Sequence, residues 1–122
     1  MSGPKGRLNP GLKSSLEAML ARGQDSALLR YTLGAECLKA DEHAAAVEHL
    51  ELAVTLDPDY SAAWRQLGKA ALAAGDPERA LEVWRQGIAS AEHRGDVQAA
   101  KEMSVFVRRL GKARSDRESR GD

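Results

Sequence analysis

Aromatic residues are scarce in this sequence, and their scarcity limits the kind of core that the chain can build. The 122 residues include two Trp, two Tyr and one Phe, although 43% of the residues are hydrophobic. The core must therefore consist mainly of Ala and Leu, which favour helices together with Glu, Arg and Lys. β-branched residues are sparse, and no stretch alternates polar and apolar residues over a strand's length. We therefore predict an all-α protein of one domain.

Cysteine is nearly absent, and the sequence shows neither a long apolar run nor the pattern of a secretory leader. The single cysteine, Cys37, cannot form an internal disulfide, which is typical of a reducing compartment. No apolar run approaches about 18 residues, and no apolar stretch follows Lys5 and Arg7 near the N-terminus. We therefore expect a cytoplasmic protein that does not insert into a membrane.

Neither sign of charge dominates the chain. Eighteen basic and 18 acidic residues cancel, whereas nucleic-acid binders usually carry a basic excess. The composition therefore argues against nucleic acid as the partner of the chain as a whole. A local basic excess lies between Lys101 and Arg120. Contact of this tail with nucleic acid or another acidic surface is a lesser alternative, and a solvated tail is the simpler interpretation.

Residue patterns that support catalysis or metal binding are missing as well. The sequence contains no G-x-G-x-x-G, C-x-x-C or H-E-x-x-H motif. Cys37 has no predicted neighbouring base, and His43 and His49 are six residues apart, which places them about 240° apart around a helix. We predict no catalytic residue, no cofactor and no metal site, so the chain is not expected to be an enzyme.

Two segments of the chain match each other when one is shifted by 34 residues. This shift aligns Gly34 with Gly68 and Ala46 with Ala80, and it brings further residues of similar size into register. The other aligned pairs are Leu33 with Leu67, Leu50 with Trp84, and Ala53 with Gly87. A sustained period of this length is typical of a helical solenoid, in which each hairpin buries its apolar face against its neighbours.

The repeated segments resemble the tetratricopeptide repeat family, whose motif reads W-x2-L-G-x2-Y, then A-x3-F, then Pro. The first repeat departs from the motif at Arg30 and Cys37, where aromatic residues are expected, and the second departs at Ala71. The matching motif residues are Leu33, Gly34, Ala46, Leu50, Ala53 and Pro58 in the first repeat, and Trp64, Leu67, Gly68, Ala80 and Trp84 in the second. The resemblance implies a right-handed superhelix of about six antiparallel stacked helices.

Turn residues and helix caps suggest how the chain is divided. Asp41 and Asp59 are the expected N-caps of the helices that follow them. The predicted divisions are a flexible N-terminal arm over 1–9, a single domain over 10–111 and a disordered tail over 112–122. Within the domain we predict an N-terminal helix over 10–22, repeat one over 26–58, repeat two over 59–93 and a C-terminal capping helix over 96–111.

The resemblance also implies where a ligand would lie. In this family the first helix of each repeat lines a concave groove, which here assigns Tyr31, Ala35 and Lys39 from repeat one and Arg65, Gln66 and Lys69 from repeat two. Arg65 and Lys69 are neighbours on one helix face and favour an acidic peptide or a carboxylate. The alternative is that both cations merely solvate an exposed face.

The predicted function is therefore that of a non-catalytic adaptor or scaffold that holds another protein or a peptide. The chaperone-binding clamp of some family members is not expected, because Tyr31 and Ala35 stand where its first Lys and Asn would be. An alternative is a self-assembling module, a monomer or weak homodimer, in which Met103, Phe106 and Val107 of the capping helix pair two copies. Trp64 and Trp84 fall on motif positions and are interpreted as core residues rather than ligand contacts.

Overall fold

The structure is a computed structural model that describes residues 10–121. Over this range the chain forms six helices and no strand, which confirms the predicted all-α class. The helices are α1 (Pro10–Ala21), α2 (Ala27–Lys39), α3 (His43–Leu56), α4 (Ser61–Ala73), α5 (Pro77–Arg94) and α6 (Val97–Gly121).

Several helices begin at side chains that cap them. The Ser26 hydroxyl accepts the N–H of Leu29 at 3.1 Å before α2, and the Asp76 carboxylate accepts the N–H of Arg79 before α5. Asp96 caps α6 in the same way, directly after Gly95 ends α5 with a φ of 82°.

Two predicted caps are wrong. Asp41 adopts a φ of 59°, and the residue that precedes α3 is Glu42, whose side chain forms no capping bond. Asp59 donates its N–H to the side chain of Asp57 at 3.1 Å, and this local turn delays the start of α4 until after Tyr60. In both cases the Asp lies in the turn before the helix rather than at its N-cap.

The helices stack in chain order as antiparallel neighbours. The hairpin of α2 and α3 packs through α3 onto α4, and the hairpin of α4 and α5 packs through α5 onto α6. Two groups of buried side chains result, one around Leu50 and Leu67 and the other around Trp84 and Met103. Trp64 packs against both groups, so the two repeats share one continuous core.

Glycines allow the paired helices to approach each other closely. A Cβ atom at Gly34 would lie 2.5 Å from Cγ of Leu50, and a Cβ atom at Gly68 would overlap the indole ring of Trp84. Gly87 repeats this relation with the next helix, because its Cβ would lie 2.6 Å from Sδ of Met103. The small residues at the repeat positions are therefore required by the distance between neighbouring helices.

The two ends of the stack are packed unequally. The apolar stripe of α1, formed by Leu12, Leu16, Met19 and Leu20, is only partly buried, and α1 contacts α2 alone among the helices. An ion pair of 2.6 Å between Lys13 and Glu42 adds a link to the start of α3. At the other end, Met103 of α6 is fully buried, and Phe106 and Val107 pack against the core.

The packing of α6 removes Met103 from the three residues that were expected to pair two copies of the chain. Met103 is fully buried, whereas Phe106 and Val107 pack against the core and remain partly exposed. Pairing of two copies through Phe106 and Val107 stays a prediction.

The disordered tail predicted over 112–122 is also wrong for residues 112–121, which continue α6 as helix. No proline interrupts this segment, and Lys112 pairs with Asp116 one turn later at 3.4 Å. Arg114 forms an ion pair of 2.7 Å with Glu78 of α5, which is a contact between the extension and the stack. The predicted arm over 1–9 and Asp122 lie outside the described residues, and the division into domain and termini stays a prediction.

The contact between Gly68 and Trp84 predicts a position-specific loss of stability. We expect Gly68→Ala to lower the free energy of unfolding by about 1–3 kcal/mol, because the added methyl overlaps a ring with no room to move. Gly111→Ala is the matched control, since Gly111 lies in α6 with nothing within 4 Å of the added methyl. The control should gain about 0.5–1 kcal/mol. Urea unfolding measures both, and equal effects at the two sites would contradict the packing argument.

The environment of His49 predicts a loss of stability on mild acidification. Burial, and secondarily the charge of Arg30, lowers the pKa of His49 below its ordinary value of 6.5. The unfolded chain therefore binds more protons than the folded chain as the pH falls from about 7.5 to 5.5. We expect the free energy of unfolding to decline over this window, above the range where carboxyl groups titrate. His49→Gln should flatten the decline and the exposed control His93→Gln should not; a decline that survives His49→Gln would rule out this cause.

Candidate functional site

The first helices of the repeats form the inner row of the stack. Within residues 10–121, α4 contacts both α2 and α6, whereas α3 and α5 do not contact each other. Helices of the inner row thus lie closer together than those of the outer row, so the stack curves towards α2, α4 and α6. We call the inner surface of these three helices the groove.

The α2 part of the groove is built on a pair of tyrosines. The half-buried ring of Tyr31 lies 5.0 Å from the ring of Tyr60 between centroids, and the two rings are inclined by 38°. Burial, and then the neighbouring Tyr31, raises the pKa of Tyr60. Ala35 is partly exposed, and Lys39 is exposed and pairs with Glu36 at 3.2 Å. This end of the groove therefore offers a fixed aromatic surface beside an already paired cation.

The α4 part of the groove is joined to α6 by two contacts of its cations. Nη1 of Arg65 donates to Oε1 of Glu102 at 2.8 Å, and both side chains remain partly exposed. Nζ of Lys69 lies 5.3 Å from the centroid of the Phe106 ring. Neither cation is therefore a free charge on a bare helix face, because each is positioned by a residue of α6.

Between α4 and α6 these residues border a cavity of about 470 Å³ that is open to solvent. It is lined by Arg65, Gln66, Lys69, Glu102, Val105 and Phe106. The structure thus brings the three predicted α4 residues together around one cavity. The three predicted α2 residues, Tyr31, Ala35 and Lys39, do not line it and belong to a separate part of the inner surface.

A buried core residue, Trp84, contacts both walls of this cavity. Nε1 of Trp84 donates to the backbone carbonyl of Arg65 at 3.1 Å, and the Trp84 ring lies 5.0 Å from the Phe106 ring between centroids. Trp84 therefore holds one residue on each wall of the cavity, Arg65 through the backbone and Phe106 through its ring.

The sequence prediction did not assign Glu102, Val105 and Phe106 to the groove, because it treated α6 as a cap or as a surface that pairs two copies. One signal could have identified Glu102, because it stands 34 residues after Gly68, where the repeat calls for a glycine. A charged residue at this position cannot pack against a paired helix as Gly68 does, so its side chain needs solvent or a polar partner. Its partner Arg65 is distant in sequence, so the ion pair itself could not be deduced from spacing.

The remaining motif residues lie in structural positions. Trp84 is buried, and Trp64 is partly buried and donates from Nε1 to the carbonyl of Pro58 at 2.7 Å. The exposed Pro58 also accepts a hydrogen bond from Ser90 at 2.8 Å. Motif residues that are buried between helices are Leu33, Gly34, Ala46, Leu50, Ala53, Leu67, Gly68 and Ala80. Arg30, which replaces the expected aromatic residue, binds Asp25 at 2.9 Å and contacts His49.

The side chains that could act as a nucleophile or as metal ligands are either buried or not grouped together. Cys37 is 1% exposed, and burial raises the pKa of its thiol, which favours the unreactive protonated form. Over residues 10–121, no three His, Cys, Asp or Glu side chains are arranged to hold a metal ion. Over the same range, none of the helices combines the length and the apolar character needed to cross a membrane.

Comparisons with known proteins agree with this architecture. The sequence profile of the tetratricopeptide repeat matches residues 37–103. A TPR repeat-containing protein of Pseudomonas aeruginosa is 53% identical over 100 residues, which cover 82% of this chain and 95% of that protein.

Solved structures show the same arrangement of helices. The solution structure of a Bordetella parapertussis protein is 43% identical to this chain with a TM-score of 0.77, and the match covers 88% of this chain and 93% of that one. The crystal structure of MamA is 21% identical with a TM-score of 0.60, and the match covers 86% of this chain and 70% of that one. This last similarity concerns the fold alone.

Proposed function

This chain belongs to the tetratricopeptide repeat family, whose repeats generally mediate protein–protein interaction, and from that premise we propose that it is a non-catalytic adaptor. It would hold a peptide or protein segment against the inner surface of α2, α4 and α6. The observation that carries this proposal is the cavity between α4 and α6, where two cations lie beside an exposed aromatic edge. We propose that the chain performs this role in the cytoplasm, as a scaffold that carries out no catalytic step.

The chemistry of the cavity favours a segment with carboxylates. Arg65 and Lys69 can form charge-assisted hydrogen bonds with an Asp, a Glu or a chain terminus. Phe106 and Val105 supply apolar surface for the neighbouring parts of the segment. Glu102 is the only acid among the lining residues, and it already satisfies one donor of Arg65. A carboxylate ligand would therefore compete with Glu102 for Arg65.

The fixed positions of the cations support binding over simple solvation. A solvated cation is usually mobile, and ordering it on binding costs side-chain entropy. Here Phe106 orders Lys69 before a ligand arrives, whereas Glu102 holds Arg65 only until a ligand carboxylate replaces it. Less entropy is then lost when the ligand binds.

Reversing both cations of the cavity should abolish capture of a groove partner. We expect Arg65→Glu with Lys69→Glu to reduce the partner recovered from native lysate by at least about tenfold, because carboxylates would then face carboxylates. Recovery is measured by quantitative mass spectrometry against the unmodified chain. Arg85→Glu with Arg117→Glu is the matched control, since both residues are exposed and form no ion pair within residues 10–121.

The proposal fails if every partner is recovered equally by the cavity variant and the unmodified chain. Circular dichroism must show that the variant is helical and that its unfolding midpoint is unchanged. This control excludes loss of folding as the cause of lost binding.

Removing the charge of Glu102, which competes with the ligand for Arg65, should strengthen binding of an acidic segment. We expect Glu102→Gln to raise affinity by roughly two- to fivefold, since exposed ion pairs are worth up to about 1 kcal/mol. Fluorescence anisotropy with the acidic segment mapped from the captured partner measures the change, and Glu82→Gln serves as an exposed control acid outside the cavity. A lower affinity after Glu102→Gln would mean that Glu102 orients Arg65 for the ligand rather than competing with the ligand.

A further inference from the structure

The outer side of α6 is a second surface, which shares only Val105 with the lining of the cavity between α4 and α6. It lies at the C-terminal end of the stack and forms a shallow cavity of about 540 Å³ with the end of α5. We call this surface the end face; its residues on α6 are Val97, Ala100, Lys101, Ser104, Val105 and Arg108. These residues recur every three or four positions, so they form one stripe along the helix.

The end face is the side of α6 against which a following helix of the stack would pack. The corresponding sides of α2 and α4 are covered by α3 and α5, whereas none of the described residues covers this side of α6. Val97 is 62% exposed, and Val105 is partly exposed. The end face therefore presents apolar surface on the last helix of the described stack.

Two cations flank this apolar surface without acidic partners. Lys101 and Arg108 are two helical turns apart on the same side of α6, and neither forms an ion pair within residues 10–121. Glu92 at the end of α5 is the only acidic residue that lines the cavity. Uncompensated cations beside apolar side chains favour an occupant that is both acidic and apolar.

A second copy of α6 is a poor occupant of the end face. Lys101 lies three residues before Ser104 and Arg108 lies three residues after Val105. An antiparallel pair of α6 helices centred between Ser104 and Val105 would therefore bring Lys101 of each copy against Arg108 of the other. Like charges placed directly opposite each other repel, which disfavours a symmetric dimer through this surface.

We propose that the end face docks an acidic amphipathic helix of a partner protein. The apolar stripe of that helix lies on Val97 and Val105, and acidic side chains two turns apart meet Lys101 and Arg108. The partner helix occupies the position of the next helix in the solenoid. This surface uses other cations than the groove, so the proposal does not depend on the adaptor function proposed above.

Two synthetic helices provide the test. Each is roughly 18 residues long, about five turns, with one apolar stripe of Leu and Ala. One carries Glu along both sides of the stripe, and its twin carries Lys at the same positions. Fluorescence anisotropy of the labelled peptides measures binding to the full chain. We expect the Glu peptide to bind at least about tenfold more tightly than the Lys peptide.

Variants assign the binding to the end face. Lys101→Glu with Arg108→Glu should reverse the preference between the two peptides, whereas the control Arg85→Glu with Arg117→Glu should preserve it. The proposal is overturned if the Glu peptide does not bind at millimolar concentration, or if it binds the Lys101/Arg108 variant as well as the unmodified chain. It is also overturned if Arg65→Glu with Lys69→Glu alone abolishes binding, because the peptide would then lie in the groove. Circular dichroism confirms that each variant remains helical.

Discussion

The close approach of α4 and α5 at Gly68 is the contact on which the rest of this structure depends. Because Gly68 has no side chain, the Trp84 indole lies directly against α4 and reaches the carbonyl of Arg65. The other side of the same ring packs near Phe106 of α6. One buried aromatic residue thus sets the separation of a hairpin and the relative position of both cavity walls. In a core with so few rings, this residue carries an unusually large share of the packing.

Local signals in the sequence were sufficient to predict the helices and the repeat. The spacing between paired helices depends on side-chain size, and side-chain size can be read from sequence. Small residues recur with a period of 34 residues, as Gly34 with Gly68 and Ala46 with Ala80. The composition of the cavity could not be predicted in this way. Glu102 and Phe106 reach Arg65 and Lys69 only through the docking of α6, and sequence periodicity carries no information about that tertiary contact.

The prediction for the C-terminal segment failed for the same reason, because it too depends on tertiary contacts. Its charged composition is typical of disorder, yet the structure continues α6 through Gly121. The ion pair from Arg114 to Glu78 joins residues that are far apart in the chain. A composition-based prediction cannot include a partner on another helix, so it missed the ion pair between this segment and α5. The lighter packing of α1 is likewise a tertiary property that its regular apolar stripe did not disclose.

Trp64 has a consequence for how the protein unfolds. Its side chain belongs to the packing of both groups of buried residues, and Cβ of Trp64 also lies close to the position of Gly87 on α5. In the nearest-neighbour description of repeat proteins, stability is the sum of each repeat's own free energy and the interface terms between repeats. A residue shared by two cores adds to the interface term, which penalises states with one repeat folded and the other open. The two hairpins should therefore melt as one cooperative unit, with α1 the helix most able to fray independently.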